Sequence, residues 1–112
     1  MQELIGNVVQ WAEDRNLIEG STPARQIYKT MEEATELAVA IGAYTQEAGY
    51  DEGELTGAAL DIQDAIGDVT VTLIIIAEQI GVSFEECLAV AYHQIKDRKG
   101  RMQNGLFLKD ES

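Results

Sequence analysis

The stretch Ile62-Gln-Asp-Ala-Ile66-Gly-Asp-Val69-Thr-Val-Thr-Leu73-Ile-Ile-Ile76-Ala-Glu-Gln-Ile80 decides the fold class. Its apolar residues at 62, 66, 69, 73, 76 and 80 step by 4, 3, 4, 3 and 4, the spacing that keeps one seam of a helix against a partner. β-branched residues dominate positions 69–76, so a strand is the rival reading, but unbroken heptad spacing on both sides favours a helix that ends at Gly81. Val71, Ile74 and Ile75 lie off the seam and make this portion apolar nearly all round. In so short a chain that suggests burial against a second subunit, and hence a homodimer or homotetramer.

Upstream, Leu4, Val8, Trp11 and Ala12 predict a short first helix stopping near Glu19-Gly20. Ser21-Thr22-Pro23 reads as the capped start of a second helix, with an apolar stripe of Ile27, Met31, Ala34, Ala38 and Ile41. Residues Gly49 to Gly53 read as a polar loop. Downstream, Ser83 and Glu86 have capping-box spacing for a fourth helix running from Phe84 to about Lys99, with Leu88, Ala91 and Ile95 inward. The expectation is an all-α bundle of about four helices in one domain over residues 1–112. Residues 101–112 read as a polar tail with an apolar knot at Leu106-Phe107-Leu108.

Charge narrows the function. The 112 residues carry 8 Lys plus Arg against 20 Asp plus Glu, a formal net charge of −12. No base lies between Thr30 and Ile95, whereas five of the eight fall in Lys96 to Lys109. Such a surface repels bare phosphate backbones and anionic leaflets, which argues against nucleic-acid and membrane partners. A lone Cys87 excludes an internal disulfide and a multi-thiolate zinc site, reads as a small core residue, and makes a reducing cytoplasm the default. The N-terminal residues show no export signal, and the apolar run 71–77 is too short to span a bilayer.

The acids fall in two stripes. At about 100° per residue, Gln26, Lys29, Glu33 and Glu36 lie within about 80° of one another on helix 2. Asp61, Asp64 and Asp68 cluster likewise on helix 3, flanking its apolar seam. Packed antiparallel, the two helices would gather four or five carboxylates, which either point apart into water or hold cations between them. Three Asp on one helix, with no basic partner one turn away and Gly67 beside Asp68, cost helix stability without a structural return. His93 has no second ligand-type residue at metal spacing and reads as structural.

The run Gln26-Ile-Tyr-Lys29-Thr-Met-Glu32-Glu33-Ala-Thr-Glu36-Leu37, followed by Asp64-Ala-Ile-Gly-Asp68-Val69, resembles the two-part acidic signature of the MazG-like all-α nucleoside triphosphate pyrophosphohydrolases. The resemblance covers most of the chain and is closest to small single-domain members of phage type. It implies Mg²⁺ or Mn²⁺ on Glu33, Glu36 and Asp68. The family's usual Glu three residues before the final Asp is Ala65 here, and Asp64 is the nearest substitute. The implied reaction is hydrolysis of a nucleoside or deoxynucleoside triphosphate to monophosphate and pyrophosphate, with Glu32 or Glu33 in the catalytic role. By the same resemblance, Lys96, Arg98, Lys99 and Asn104 would contact phosphate. Lys29 would orient a carboxylate or reach phosphate, and Trp11, otherwise core or interface, would wall a nucleobase. The departure at Ala65 keeps a catalytically silent nucleotide-binding oligomer as the alternative, with a purely structural helical protein behind it.

Overall fold

A computed structural model describes residues 1–46 and 57–110; the polar loop expected at 49–53 lies outside them. Among the described residues there are four helices: α1 (Gln2–Asp14), α2 (Pro23–Gln46), α3 (Gly57–Gln79) and α4 (Phe84–Ile95). A two-stranded antiparallel hairpin follows, β1 (Gly100–Gln103) and β2 (Leu106–Lys109). No single helix among the described residues is long and apolar enough to cross a membrane.

Local chemistry sets the boundaries. The Thr22 hydroxyl accepts the Arg25 N–H at 3.2 Å at the start of α2, and the Ser83 hydroxyl accepts the Glu86 N–H at 3.0 Å at the start of α4. At the end of α3, Gly81 takes φ +84° while the Val82 N–H reaches the Ala77 carbonyl and the Gly81 N–H the Glu78 carbonyl, a Schellman stop. Helix α1 ends earlier than expected, at Asp14, because Asn16 adopts φ +58° and turns the chain out of the helix. Helix α4 likewise ends at Ile95 rather than near Lys99.

The C-terminal tail is not a tail. Asn104-Gly105 supplies two consecutive positive φ values, +54° and +80°, and pairs Met102 with Phe107 and Arg101 with Leu108 across a tight turn. The apolar knot at 106–108 is therefore the second strand of a hairpin, and the all-α expectation gives way to four helices plus a small β element.

The helix pair α2–α3 forms the centre of the molecule, and its packing inverts the sequence reading. The face of α2 that turns inward is Gln26, Thr30, Glu33, Leu37 and Ala40, buried or half-buried at 4-3-4-3 spacing. On α3 the buried residues are Ala58, Ala65 and Thr72, seven apart, with Ile74, Ile75 and Ala77 toward its end. The expected seam of α3 is only partly covered, with Ile66, Leu73 and Ile80 exposed and Ile62, Val69 and Ile76 half-buried, and on α2 Ile27 and Met31 are exposed. Small side chains on α3 bring the polar stripe of α2 into the contact and turn the bulky stripe of α2 outward. One layer of this contact is a hydrogen-bonded pair in which the Thr30 hydroxyl donates to Thr72 Oγ1 at 2.8 Å, which in turn donates to the Val69 carbonyl at 2.6 Å. Helix α1 also packs on α3, and the Gln79 amide donates to the Leu17 carbonyl at 3.1 Å. Helix α4 buries no residue at all: its inward stripe, Leu88, Ala91 and Ile95, is exposed, and so is Cys87.

Candidate functional site

One turn beyond the threonine layer, the α2–α3 contact becomes acidic. Glu33 and Glu36 from α2 and Asp68 from α3 each bring a carboxylate oxygen within 4.8 Å of the others. The Glu33 side chain is only 12% exposed, and its Oε2 is buried with no hydrogen-bond partner. Its other oxygen lies 3.5 Å from Lys29 Nζ, which also reaches Glu32 Oε2 at 3.4 Å. An ionised oxygen withdrawn from water without a donor destabilises the fold. Evolution tolerates such a group where something outside the chain neutralises it.

The neighbouring acids feel the same crowding. Glu36 is held above its ordinary value of 4.5, first by the hydrogen bond its protonated form makes to Glu33 and then by the Glu33 charge. Asp68 is raised above 3.8 first by burial, then by the charges of Asp64 and Glu33, with Lys29 opposing. A carboxyl whose folded pKa exceeds its unfolded one binds more protons when folded, so stability is lost as pH rises through that window. Metal-free protein is therefore expected to gain thermal stability as pH falls from neutrality toward the ordinary carboxylate range. Added Mg²⁺ should reverse that slope by competing with protons, and melting curves in EDTA and in Mg²⁺ across pH 4–7 read both (about that range, from ordinary carboxyl values).

All three groups are oxygen donors, one with an orphaned buried atom, and the set fits a hard divalent cation. The site is flanked by two concavities that share Asp68. One is a cavity of about 690 Å³ with apolar walls from Val8, Leu17, Val71 and Ile75, reaching Lys29, Glu33 and Asp68. Trp11 and Gln26 also line it. The other is a groove of about 380 Å³ in which Glu36, Asp61, Asp64 and Asp68 meet Ala40 and Ala65.

The residues singled out in the sequence fall into three groups. Glu33, Glu36 and Asp68 converge, with Lys29 beside them and Trp11 on the adjoining cavity. Asp64 shares the groove and raises Asp68, but it stands outside the converging trio; Glu32 faces solvent, paired to Lys29. Lys96, Arg98, Lys99 and Asn104 lie at the α4–hairpin end, and none of them lines either concavity beside the trio. Asn104 is the turn residue of the hairpin. Arg98 lines a separate concavity with Arg101 and the second strand. Asn7 lines the cavity without any signal in the sequence, and Gln26, which the sequence places on the stripe of Lys29, Glu33 and Glu36 without a site role, lines it too and is 8% exposed.

No protein-family profile matches the chain, and no solved structure matches it significantly. The chain is similar to an uncharacterized 18.2 kDa protein in the rep-hol intergenic region of Haemophilus phage HP1, 40% identical over 79 residues. The match takes in 70% of this chain and spans 40% of the relative's length.

Proposed function

We propose that the protein is a divalent-metal-dependent hydrolase that converts a nucleoside or deoxynucleoside triphosphate to the monophosphate and pyrophosphate. The observation that carries the reading is the burial of Glu33 in the packing face of two helices, one oxygen unpartnered, with Glu36 and Asp68 converging on it. Glu33, Glu36 and Asp68 would hold Mg²⁺ or Mn²⁺, with Asp64 near enough in the groove to contribute. When bound, the cation supplies neutralising charge for a triphosphate and makes water a better nucleophile at neutral pH.

The chain's own residues supply the rest. Water attacks the α-phosphorus, a new P–O bond forms, the bond to the bridging oxygen breaks, and pyrophosphate leaves. Glu32, solvent-facing, one residue from Glu33 and outside the converging trio, is the carboxylate we assign to take the water's proton, with Lys29 paired to it. Lys29, which lines the cavity, is the cation positioned to follow developing charge on phosphate oxygens. The basic run at the end of α4 stands apart from this cavity, so among the described residues we assign phosphate contact here to Lys29.

We further propose that the working form is a homodimer or homotetramer. Support comes from a radius of gyration of 17.1 Å, against about 13 Å for a compact chain of this length, and from the outward apolar stripes of α2, α3 and α4.

Release of pyrophosphate from a panel of ribo- and deoxyribonucleoside triphosphates, with and without Mg²⁺, tests the reaction. Metal-dependent turnover of at least one substrate is expected. Ala65, buried in the acidic groove where the resembling family carries Glu, favours a second reading, a nucleotide-binding protein without turnover. That reading predicts thermal stabilisation by nucleotides and no pyrophosphate.

A further inference from the structure

Gln26 is the least explained residue of the α2–α3 contact. It is 8% exposed, lines the 690 Å³ cavity, and its side-chain carboxamide has no hydrogen-bond partner among the described residues. Thr30 and Thr72 satisfy one another a turn away, whereas the Gln26 carboxamide bonds to no described residue and is not sealed from solvent, so it opens onto the cavity. An amide that faces a cavity with both its donor and its acceptor open is set to pair with a ligand.

Its surroundings say what kind. Gln26, Lys29 and Glu33 all line the same cavity from α2, and Gln26 stands seven residues, about 10 Å along the helix axis, from Glu33. That is the scale on which a sugar separates a heterocyclic base from its first phosphate. Beside Gln26 the walls are apolar, and the Trp11 indole adds an aromatic surface. The ring is held in place: the Arg15 guanidinium sits 4.5 Å from its centroid and donates to the Trp11 carbonyl at 3.0 Å. An indole, apolar walls and one open amide together suit a flat heterocycle that carries adjacent hydrogen-bonding groups on its edge.

We propose that Gln26 sets base selectivity, its carboxamide pairing with the hydrogen-bonding edge of a nucleobase held in this cavity beside Trp11. The assignment rests on the nucleotide reading above and adds to it the residue that chooses among bases. A site built to pair with a ligand's polar edge rejects ligands that leave its own group unpaired, so selectivity follows from the amide rather than from cavity size.

Trp11 is the single tryptophan of the chain, so its fluorescence reports on the cavity directly. Phosphate-free adenosine, guanosine, cytidine and uridine are titrated in EDTA against the full-length protein, which separates base binding from metal and turnover. Quenching with a spread in Kd of about tenfold or more between bases is expected, since a paired edge commonly discriminates on that scale. In Gln26→Leu the spread should collapse to within about threefold. In Gln26→Glu, an acceptor on both oxygens, preference should move toward guanosine, whose edge offers two donors. Should both variants fail to fold, N3-methyluridine and N1-methyladenosine against the unaltered protein replace them, and edge methylation should abolish quenching. Absence of quenching by every nucleoside, or a spread that survives Gln26→Leu or edge methylation, overturns the proposal. Nucleoside binding without triphosphate turnover would leave Gln26 in its role and remove the hydrolase; turnover indifferent to the base, without quenching, would do the reverse.

Discussion

Replacing Asp68 by Asn, or Glu36 by Gln, is expected to lower pyrophosphate release by about 10²–10³-fold, the scale of losing one group that stabilises charge in a transition state. The same substitutions should raise the melting temperature of metal-free protein. Both effects have one origin. Asp68 is raised above its ordinary pKa first by burial and then by neighbouring carboxylates, and Glu36 first by its hydrogen bond to Glu33 and then by the Glu33 charge, so ionising either group destabilises the empty fold. Neutral isosteres relieve that repulsion while removing an oxygen that a cation needs. Opposite signs in activity and stability are the signature of a functional cluster, because residues retained for structure lose both together. Turnover assays paired with melts in EDTA read the two. A variant that melts lower and turns over normally would show these carboxylates to be structural.

The second large effect concerns assembly. Leu88 and Ile95 lie two turns apart on one face of α4 and are 58% and 51% exposed in the single chain. Fully covering a side chain of this size contributes roughly 1.5–3 kcal/mol, so covering the exposed half of each would contribute about 2 kcal/mol per protomer and about 4 kcal/mol to a symmetric dimer seated on this face. Leu88→Asp combined with Ile95→Asp is therefore expected to raise the dissociation constant on the order of 10³-fold and to leave a monomer at micromolar concentration. Sedimentation equilibrium measures it directly. An unchanged association state would exclude α4 from the contact between copies.

Much of this molecule is legible in its sequence, and the failures share a cause. Helix starts at Thr22 and Ser83 and the stop at Gly81 are written in side-chain and glycine chemistry that acts within a few residues. The convergence of Glu33, Glu36 and Asp68 also follows from periodicity, because each helix carries its acids on one stripe. What periodicity does not contain is which stripe faces which neighbour. Ile66, Leu73 and Ile80 look like the interior of a pair, but the pair closes on Ala58, Ala65 and Thr72, and those three bulky residues stay exposed. A chain that leaves apolar stripes exposed misleads any reading that assigns apolar residues to its own core. Gln26 is legible as a member of the polar stripe, but its burial is not, because polarity alone assigns it to the surface. The hairpin is a different miss: Asn104-Gly105 between short apolar stretches is a strong turn signal, overlooked because residues 101–112 are otherwise polar.

The alanines of the α2–α3 contact have a consequence for ion choice. Carboxylates from two helices frame the cluster, and small residues, Ala40, Ala58 and Ala65, are buried on those same helices. Aperture and interhelical distance are thus a single variable. A narrow gap suits an ion with oxygen contacts near 2.0–2.1 Å, such as Mg²⁺, over Ca²⁺, whose contacts run to about 2.3–2.6 Å. If the cluster holds a cation as proposed, enlarging one of these alanines by a methylene or two would retune the site by ionic radius, and discrimination between metals would then depend on the apolar spacers as well as on the ligands themselves.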